Sequence, residues 1–242
     1  MNSQLRVLAV GAHPDDLEYQ IGGTLARYAA QGHHVTMAVV TNGNVGSSTL
    51  PPDEIAAIRF QEATASASLI GAELLWLDYD DEFFFYNEES RRHLIDVMRQ
   101  ARPDVVLAHW TDDYHPDHSL SGQAVRDARI MTACRSQHRH RSSAAAGNSK
   151  SSFSTTPGRI NFQPEVYVDI SSTFAIKQQM LAAHVSQNAW ISDIFEGSSI
   201  GGMMETQSRF RGLQAGYRYA EGFRALETWP RAADFSLLPL EP

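Results

Sequence analysis

The sequence predicts a Rossmann-like, doubly wound α/β fold, a mostly parallel sheet with helices on both faces. Three observations predict it. Strand and helix signals alternate through the first two-thirds of the chain. The first strand is a continuous apolar run, as expected of a strand covered on both faces. The 242-residue length suits one such domain, spanning 1–242.

Leu5–Val10 is that apolar run. Ile21–Ala30 reads as a helix ending near Gly32, and Val35–Val40 as a second strand stopped by Asn42-Gly43. Asp53–Ile70 is a helix: Pro51 and Pro52 precede it, Asp53 is its expected N-cap, and Gly71 ends it. Leu74–Leu77 is a third strand, Glu88–Gln100 a helix, Asp104–His109 a fourth strand and Ser119–Thr132 a helix. Glu165–Ile170 alternates apolar and polar residues as a later strand does, and Ser171–Ala183 opens on capping-type residues and reads as a helix. Arg135–Pro157 differs from its surroundings. It is rich in Ser, Ala, Arg and His with few large apolar residues, so it reads as a flexible or disordered insertion, and Arg139-His140-Arg141 within it as a solvated run.

Strand-helix-strand repeats imply parallel strands joined by right-handed crossovers. With a strand order 3-2-1-4-5, strands one and four are neighbours at the reversal point. Ligands of such sheets sit beyond the carboxyl ends of those two strands.

Composition narrows the partners. Acidic residues outnumber basic ones 28 to 20, for a formal charge of -8. That argues against nucleic acid or an anionic membrane and leaves a small-molecule substrate open. The single cysteine, Cys134, permits no intrachain disulfide, and cytoplasm is the simplest location. No apolar run approaches the ~20 residues of a membrane helix. Leu5–Ala12 is short and carries Arg6, so it is a strand rather than a signal segment.

Two short loops rich in His and Asp fall at the expected crevice. Ala12-His13-Pro14-Asp15-Asp16 follows strand one, and Tyr114-His115-Pro116-Asp117-His118 follows strand four. Each holds a proline, which stiffens a loop that must hold side chains in place. Hydrolysing an unactivated amide near neutral pH needs a nucleophile stronger than bulk water, and a divalent metal provides one by lowering the pKa of water toward ~7. His13, Asp16 and His118 would make a three-ligand set with an open position. Asp15 is then free beside the metal as general base. His115, if protonated, is a donor to the developing oxyanion. Asp117 would orient His115 or His118. Taken singly, Asp15 or Asp16 could instead cap the following helix. Two such clusters at neighbouring strand ends favour the metal site.

These motifs resemble those of the PIG-L/LmbE-like family of de-N-acetylases. Gly22-Gly23-Thr24, Arg59 with Glu62, Lys177 through His184-Val-Ser-Gln187, and Tyr219-Ala220-Glu221-Gly222-Phe223 add to the likeness, which covers most of residues 5–190. It implies a Rossmann-like fold and zinc-dependent removal of N-acetyl from a glucosamine-type sugar or conjugate. By motif position it makes His13, Asp16 and His118 the zinc ligands, Asp15 the base, His115 the stabiliser of the tetrahedral intermediate and Arg59 a substrate contact. It also favours a homo-oligomer. The ligand set does not select zinc strongly, so Fe2+ or another divalent ion remains an alternative. Arg135–Pro157 departs from the family pattern, in which this crossover helps shape the site rim.

Other residues have two readings each. Arg59 either pairs with Glu62 on the surface or contacts substrate. Tyr114 either hydrogen-bonds the substrate or packs its loop. His184 is either a satisfied structural residue or, by the likeness, a substrate contact. His33 and His34 carry no chemistry. Trp76, Tyr79, Phe83, Phe84 and Phe85 read as core or subunit interface, and Asn44–Ser48 as a polar loop at the crevice.

Rival functions fit less well. Gly197-Ser-Ser-Ile-Gly201 matches a serine-hydrolase pattern, yet no strand precedes it and no histidine follows His184. A dinucleotide enzyme would need glycines where His13, Asp15 and Asp16 stand. An iron oxygenase triad is usually carried on a β-barrel. A non-enzymatic sugar- or metal-binding protein is the remaining alternative.

Overall fold

The structure is a computed structural model, and it describes residues 4–132, 151–155, 162–194, 198–226 and 237–238. One seven-stranded sheet organises it, in the order β3-β2-β1-β4-β5-β7-β6. The strands are β1 (Arg6–Gly11), β2 (His34–Thr41), β3 (Glu73–Tyr79), β4 (Val105–His109), β5 (Ser151–Thr155), β6 (Val166–Asp169) and β7 (Ala220–Ala225). β1 runs parallel to β2 and β4, β2 to β3, and β4 to β5. β7 is antiparallel to both β5 and β6.

Alternation along the central strands feeds two cores. Val7 and Ala9 of β1, Val35 and Met37 of β2, and Val105 and Leu107 of β4 enter one. There they meet α1 (Asp16–Ala30), α2 (Pro52–Leu69), α5 (Phe174–Ala182) and α7 (Ile200–Ala215), through Leu17, Leu25, Ala67, Met180 and Met204. Leu8, Val10, Ala38, Val40, Val106 and Ala108 enter the other, against α3 (Glu88–Ala101) and α4 (Pro116–Thr132). Helices on both faces exclude water from the centre of the sheet, which is why β1 from Val7 and β4 up to Ala108 are apolar. α6 (Val185–Ile194) follows α5 directly.

The reversal lies where expected. β2 and β3 lie on one side of β1 and β4 on the other, so the loops after β1 and β4 open side by side. Several boundaries differ from the sequence reading. α1 begins at Asp16, well before Ile21, because its first turns bury Asp16, Glu18 and Gln20 and show no apolar stripe. α4 begins at Pro116, which suits the first helical position, so Asp117 and His118 belong to a helix rather than a loop. Pro51, not Asp53, occupies the N-cap of α2; Asp53 lies in the first turn, where its charge favours the helix dipole. The place beside β4 is taken by β5, a strand inside the stretch read as a flexible insertion. Glu165–Ile170 corresponds to β6 at the far edge. The rest of 135–157 lies outside the described residues.

Candidate metal centre

β1 delivers its motif through a tight turn. Asp15 has φ 110°, a conformation uncommon for a residue with a side chain. Its carbonyl accepts from Tyr19 N at 2.9 Å, which starts α1. His13 N donates to Asp16 Oδ2 at 2.7 Å, tying the loop to the helix. Across the crevice, the first turn of α4 presents His118.

Three side chains from these two segments converge. His13 Nδ1 lies 3.2 Å from His118 Nε2. Asp16 Oδ2 lies 3.3 Å from His13 Nδ1, and Asp16 Oδ1 lies 3.3 Å from His118 Nε2. Bonds of about 2.0–2.1 Å at tetrahedral angles place neighbouring donors about 3.3 Å apart. The distances between neighbouring residues here are of that size, although Asp16 meets the two imidazoles through different carboxylate oxygens. Each imidazole also turns its other nitrogen to a carboxylate. His13 Nε2 is 3.0 Å from Asp81 Oδ1 and 3.3 Å from Asp117 Oδ2, and His118 Nδ1 is 3.3 Å from Asp113 Oδ1. Such pairs fix the tautomer and raise ligand basicity at metal sites.

The electrostatics ask for positive charge. Burial alone would push both imidazoles down, but the carboxylates outweigh it. Asp117, Asp16 and Asp81 hold His13 well above its ordinary value. Asp16 and Asp113 lift His118 to about 9. Burial would raise Asp16, yet His118 and His109 keep it well below the usual carboxylate range. Other sets overlap the triangle: His13, His115 and His118; Asp16, His109 and His118; and His13, Asp81 and Asp117 each bring donors within 4.8 Å. His13 is shared by the first and third of these sets and His118 by the first and second, while Asp16 belongs to the second.

Asp15 lies beside this cluster. Burial raises its carboxyl to about 6, against the opposing charge of Arg59. His115 stacks on His118 with ring centres 4.6 Å apart and meets His13 edge-on at 4.6 Å. Its Nε2 pairs with Glu82 at 3.1 Å, and its buried Nδ1 has no hydrogen-bond partner among the described residues. Burial, then the charges of His13 and His118, lower its pKa. Tyr114 is 77% exposed, its ring against that of His115.

Two expectations are corrected. Asp117 faces His13 rather than His115 or His118, because its Oδ2 also accepts Glu82 N at 2.8 Å and so points toward β3. Arg59 is buried, and Glu62 instead takes Ser186 through N at 2.8 Å and Oγ at 2.6 Å. The guanidinium donates to Pro14 O at 2.6 Å and Gly43 O at 3.3 Å, and stands 3.6 Å from Asp15 and 3.7 Å from Asp81. A Cβ on Gly43 or Gly46 would collide with it, so the loop after β2 is shaped around Arg59. His184 is fully buried 3.2 Å from Glu18, which accepts Ser66 Oγ at 2.6 Å.

Asp81, Asp113, His109 and Gln20 were not singled out from sequence. Ala12 N donates to His109 Nε2 at 2.9 Å, and the His109 ring stacks on His118 at 4.2 Å. The available signal was position: Asp81 follows β3, Asp113 precedes the second motif, and His109 ends β4.

Comparison with known proteins fits this geometry. A sequence profile of the PIG-L family, GlcNAc-PI de-N-acetylase, matches residues 8–129. The diacetylchitobiose deacetylase of Thermococcus kodakarensis is 29% identical over 92% of this chain and 84% of its own. The 4-oxalmesaconate hydratase of Pseudomonas putida is 25% identical over 76% and 74%. The solved N,N'-diacetylchitobiose deacetylase of Pyrococcus horikoshii superposes with a TM-score of 0.76 at 26% identity, covering 91% of this chain and 83% of that one.

Proposed function

The chain belongs to the PIG-L family of GlcNAc-PI de-N-acetylases, and on that premise we propose that it is a metal-dependent hydrolase removing N-acetyl from an amino sugar or a related small amide. The observation that carries the reading is the triangle of His13, Asp16 and His118 with the Asp15 carboxyl beside it. Zinc fits this imidazole and carboxylate set, and when bound such an ion lowers the pKa of water and polarises a carbonyl.

The chain's own groups supply the rest. Asp15, with a pKa of about 6, is mostly ionised at neutral pH yet basic enough to take a proton from water. Arg59 holds the carbonyl of Pro14 and flanks the carboxylate, positioning Asp15. His115, when protonated, donates Nδ1–H to the acyl oxygen as it gains charge, while Glu82 keeps the ring in place through Nε2. Asp81 and Asp117 hold His13, and Asp113 holds His118. Tyr114, exposed at the mouth, contacts the sugar.

The test is amine release from a panel of acetamido sugars, including N-acetylglucosamine and diacetylchitobiose, with and without chelator. The reading expects release that chelator abolishes and added zinc restores. No release from any member contradicts it. A second reading draws on the hydratase among the relatives: the same base and acid could add water across a carbon–carbon double bond. Consumption of 4-oxalmesaconate without amine release would favour it. Sugar or metal binding without turnover of either would favour a binding protein.

A further inference from the structure

A second cleft lies on the outer side of α1. It has a volume of about 850 Å³ and is lined by one face of α7, including Gln207, Phe210, Arg211 and Gln214, together with Tyr19 and Phe162. That volume is within the ~300–1,000 Å³ of small-molecule sites. Tyr19 stands three residues beyond Asp16 on α1, and Phe162 packs edge-on against Trp110, the residue after β4, at 5.8 Å. The cleft therefore neighbours the metal centre but contains none of its residues.

Its unusual feature is Arg211. The residue is 5% exposed, yet no carboxylate lies in ion-pair range of it among the described residues. The described acids nearest in sequence are engaged elsewhere, Glu205 with Arg209 at 2.8 Å and Glu221 with Lys177 at 2.6 Å, and Glu165 pairs with Arg224 at 3.2 Å. Glu221 borders a small cavity shared with Arg211, but its oxygens also accept Gly23 N and Thr24 N at 2.9 and 2.8 Å. Arg211 makes a hydrogen bond from Nη1 to the neutral Gln214 Oε1 at 2.9 Å and lies 5.9 and 5.5 Å from the rings of Phe162 and Phe210. Buried charges are ordinarily paired, because removal from water is otherwise uncompensated. A guanidinium held between rings, with amide groups around it, presents its remaining N–H groups to a planar or tetrahedral anion.

We propose that this cleft binds a small molecule through a carboxylate or phosphate group, with Arg211 as the counter-ion and the two phenyl rings supporting the rest of the ligand. Gln163, Gln207 and Gln214 add neutral amide donors that suit an oxyanion and leave the charge balance to Arg211. The site stands independently of the reaction at the metal centre.

Titration calorimetry with benzoate, phenyl phosphate and neutral benzamide tests it on the whole protein, since none of the three is an acetamido sugar. Benzoate or phenyl phosphate should bind, benzamide should not, and the tighter anion identifies the group the site prefers. Arg211→Gln should weaken anion binding about 10- to 100-fold, the range of a charge-assisted hydrogen bond. Because loss of a buried arginine can disturb folding, Gln214→Glu is the second variant. Gln214 is exposed and already touches Arg211, so the new carboxylate supplies the missing counter-ion. It should raise the melting temperature and abolish anion binding. Equal binding of benzamide and benzoate, no binding of either anion, or unchanged binding in Gln214→Glu would each overturn the proposal.

Discussion

In the proposed reaction Asp15 unites the chemistry and the backbone strain of the site in one residue. Its backbone is left-handed, its carboxyl is buried, and burial raises its pKa to about 6 from 3.8. Asp15→Asn should keep the metal and lose about 10²–10⁴ in turnover, the usual contribution of a positioned base; steady-state kinetics and metal content measured together check both halves. A raised carboxyl pKa means that the folded state disfavours the charged form. In metal-free protein the penalty is absent below the unfolded value near pH 4, grows as pH rises toward 6 and is complete above it. Asp15→Asn should therefore melt higher than wild type above pH 6, with the gap closing near pH 4, as calorimetry across that range will read. The two paired motifs were legible because His and Asp crowd into short segments just beyond strand ends whose place follows from strand order. Asp81, Asp113 and His109 were not, since a lone acid in a loop or a histidine ending a strand gains its meaning only from what folds against it. Arg59 misled for a similar reason: Glu62 is one turn away on α2, but Ser186 reaches it from α6.

At the scale of elements, α1 carries the first motif, and its placement depends on a buried clamp. Glu221 on β7 accepts Lys177 Nζ from α5 at 2.6 Å and the Gly23 and Thr24 amides of α1 at 2.9 and 2.8 Å. Thr173 Oγ1 donates to Gly23 O at 2.8 Å, and a Cβ on Gly23 would come within 2.7 Å of Ile170. The Gly22-Gly23-Thr24 signal is thus a close approach between α1 and the segment entering α5. Lys177→Met should destabilise the fold by about 3–5 kcal/mol, because it leaves Glu221 buried without its cation. Adding Glu221→Gln should recover part of that loss in urea denaturation. The start of α1 was hidden in the sequence because its first turns bury polar groups for the site, which erases the apolar stripe by which helices are recognised.

At the scale of the molecule, alternation of strand and helix correctly placed the reversal between β1 and β4, where the two His/Asp motifs meet. The far half of the sheet was harder to read. β5 is a short serine-rich strand held by backbone pairing to β4, and β7 enters between β5 and β6 by reversing direction. Its Ala-Glu-Gly-Phe-Arg-Ala sequence holds one strong β-former, Phe223, so pairing partners more than propensity make it a strand. Among the described residues no helix is long and apolar enough to cross a membrane. A cation bound only by the folded site couples to global stability, so chelator should lower the melting temperature and added zinc raise it in step with concentration. His118→Ala should remove that zinc response.

The most direct test is anomalous diffraction at the zinc edge from crystals grown with zinc. The predicted result is one strong peak about 2.0–2.2 Å from His13 Nδ1, an Asp16 carboxylate oxygen and His118 Nε2 together. An ion bound elsewhere, or no ion among these three groups, would contradict the account.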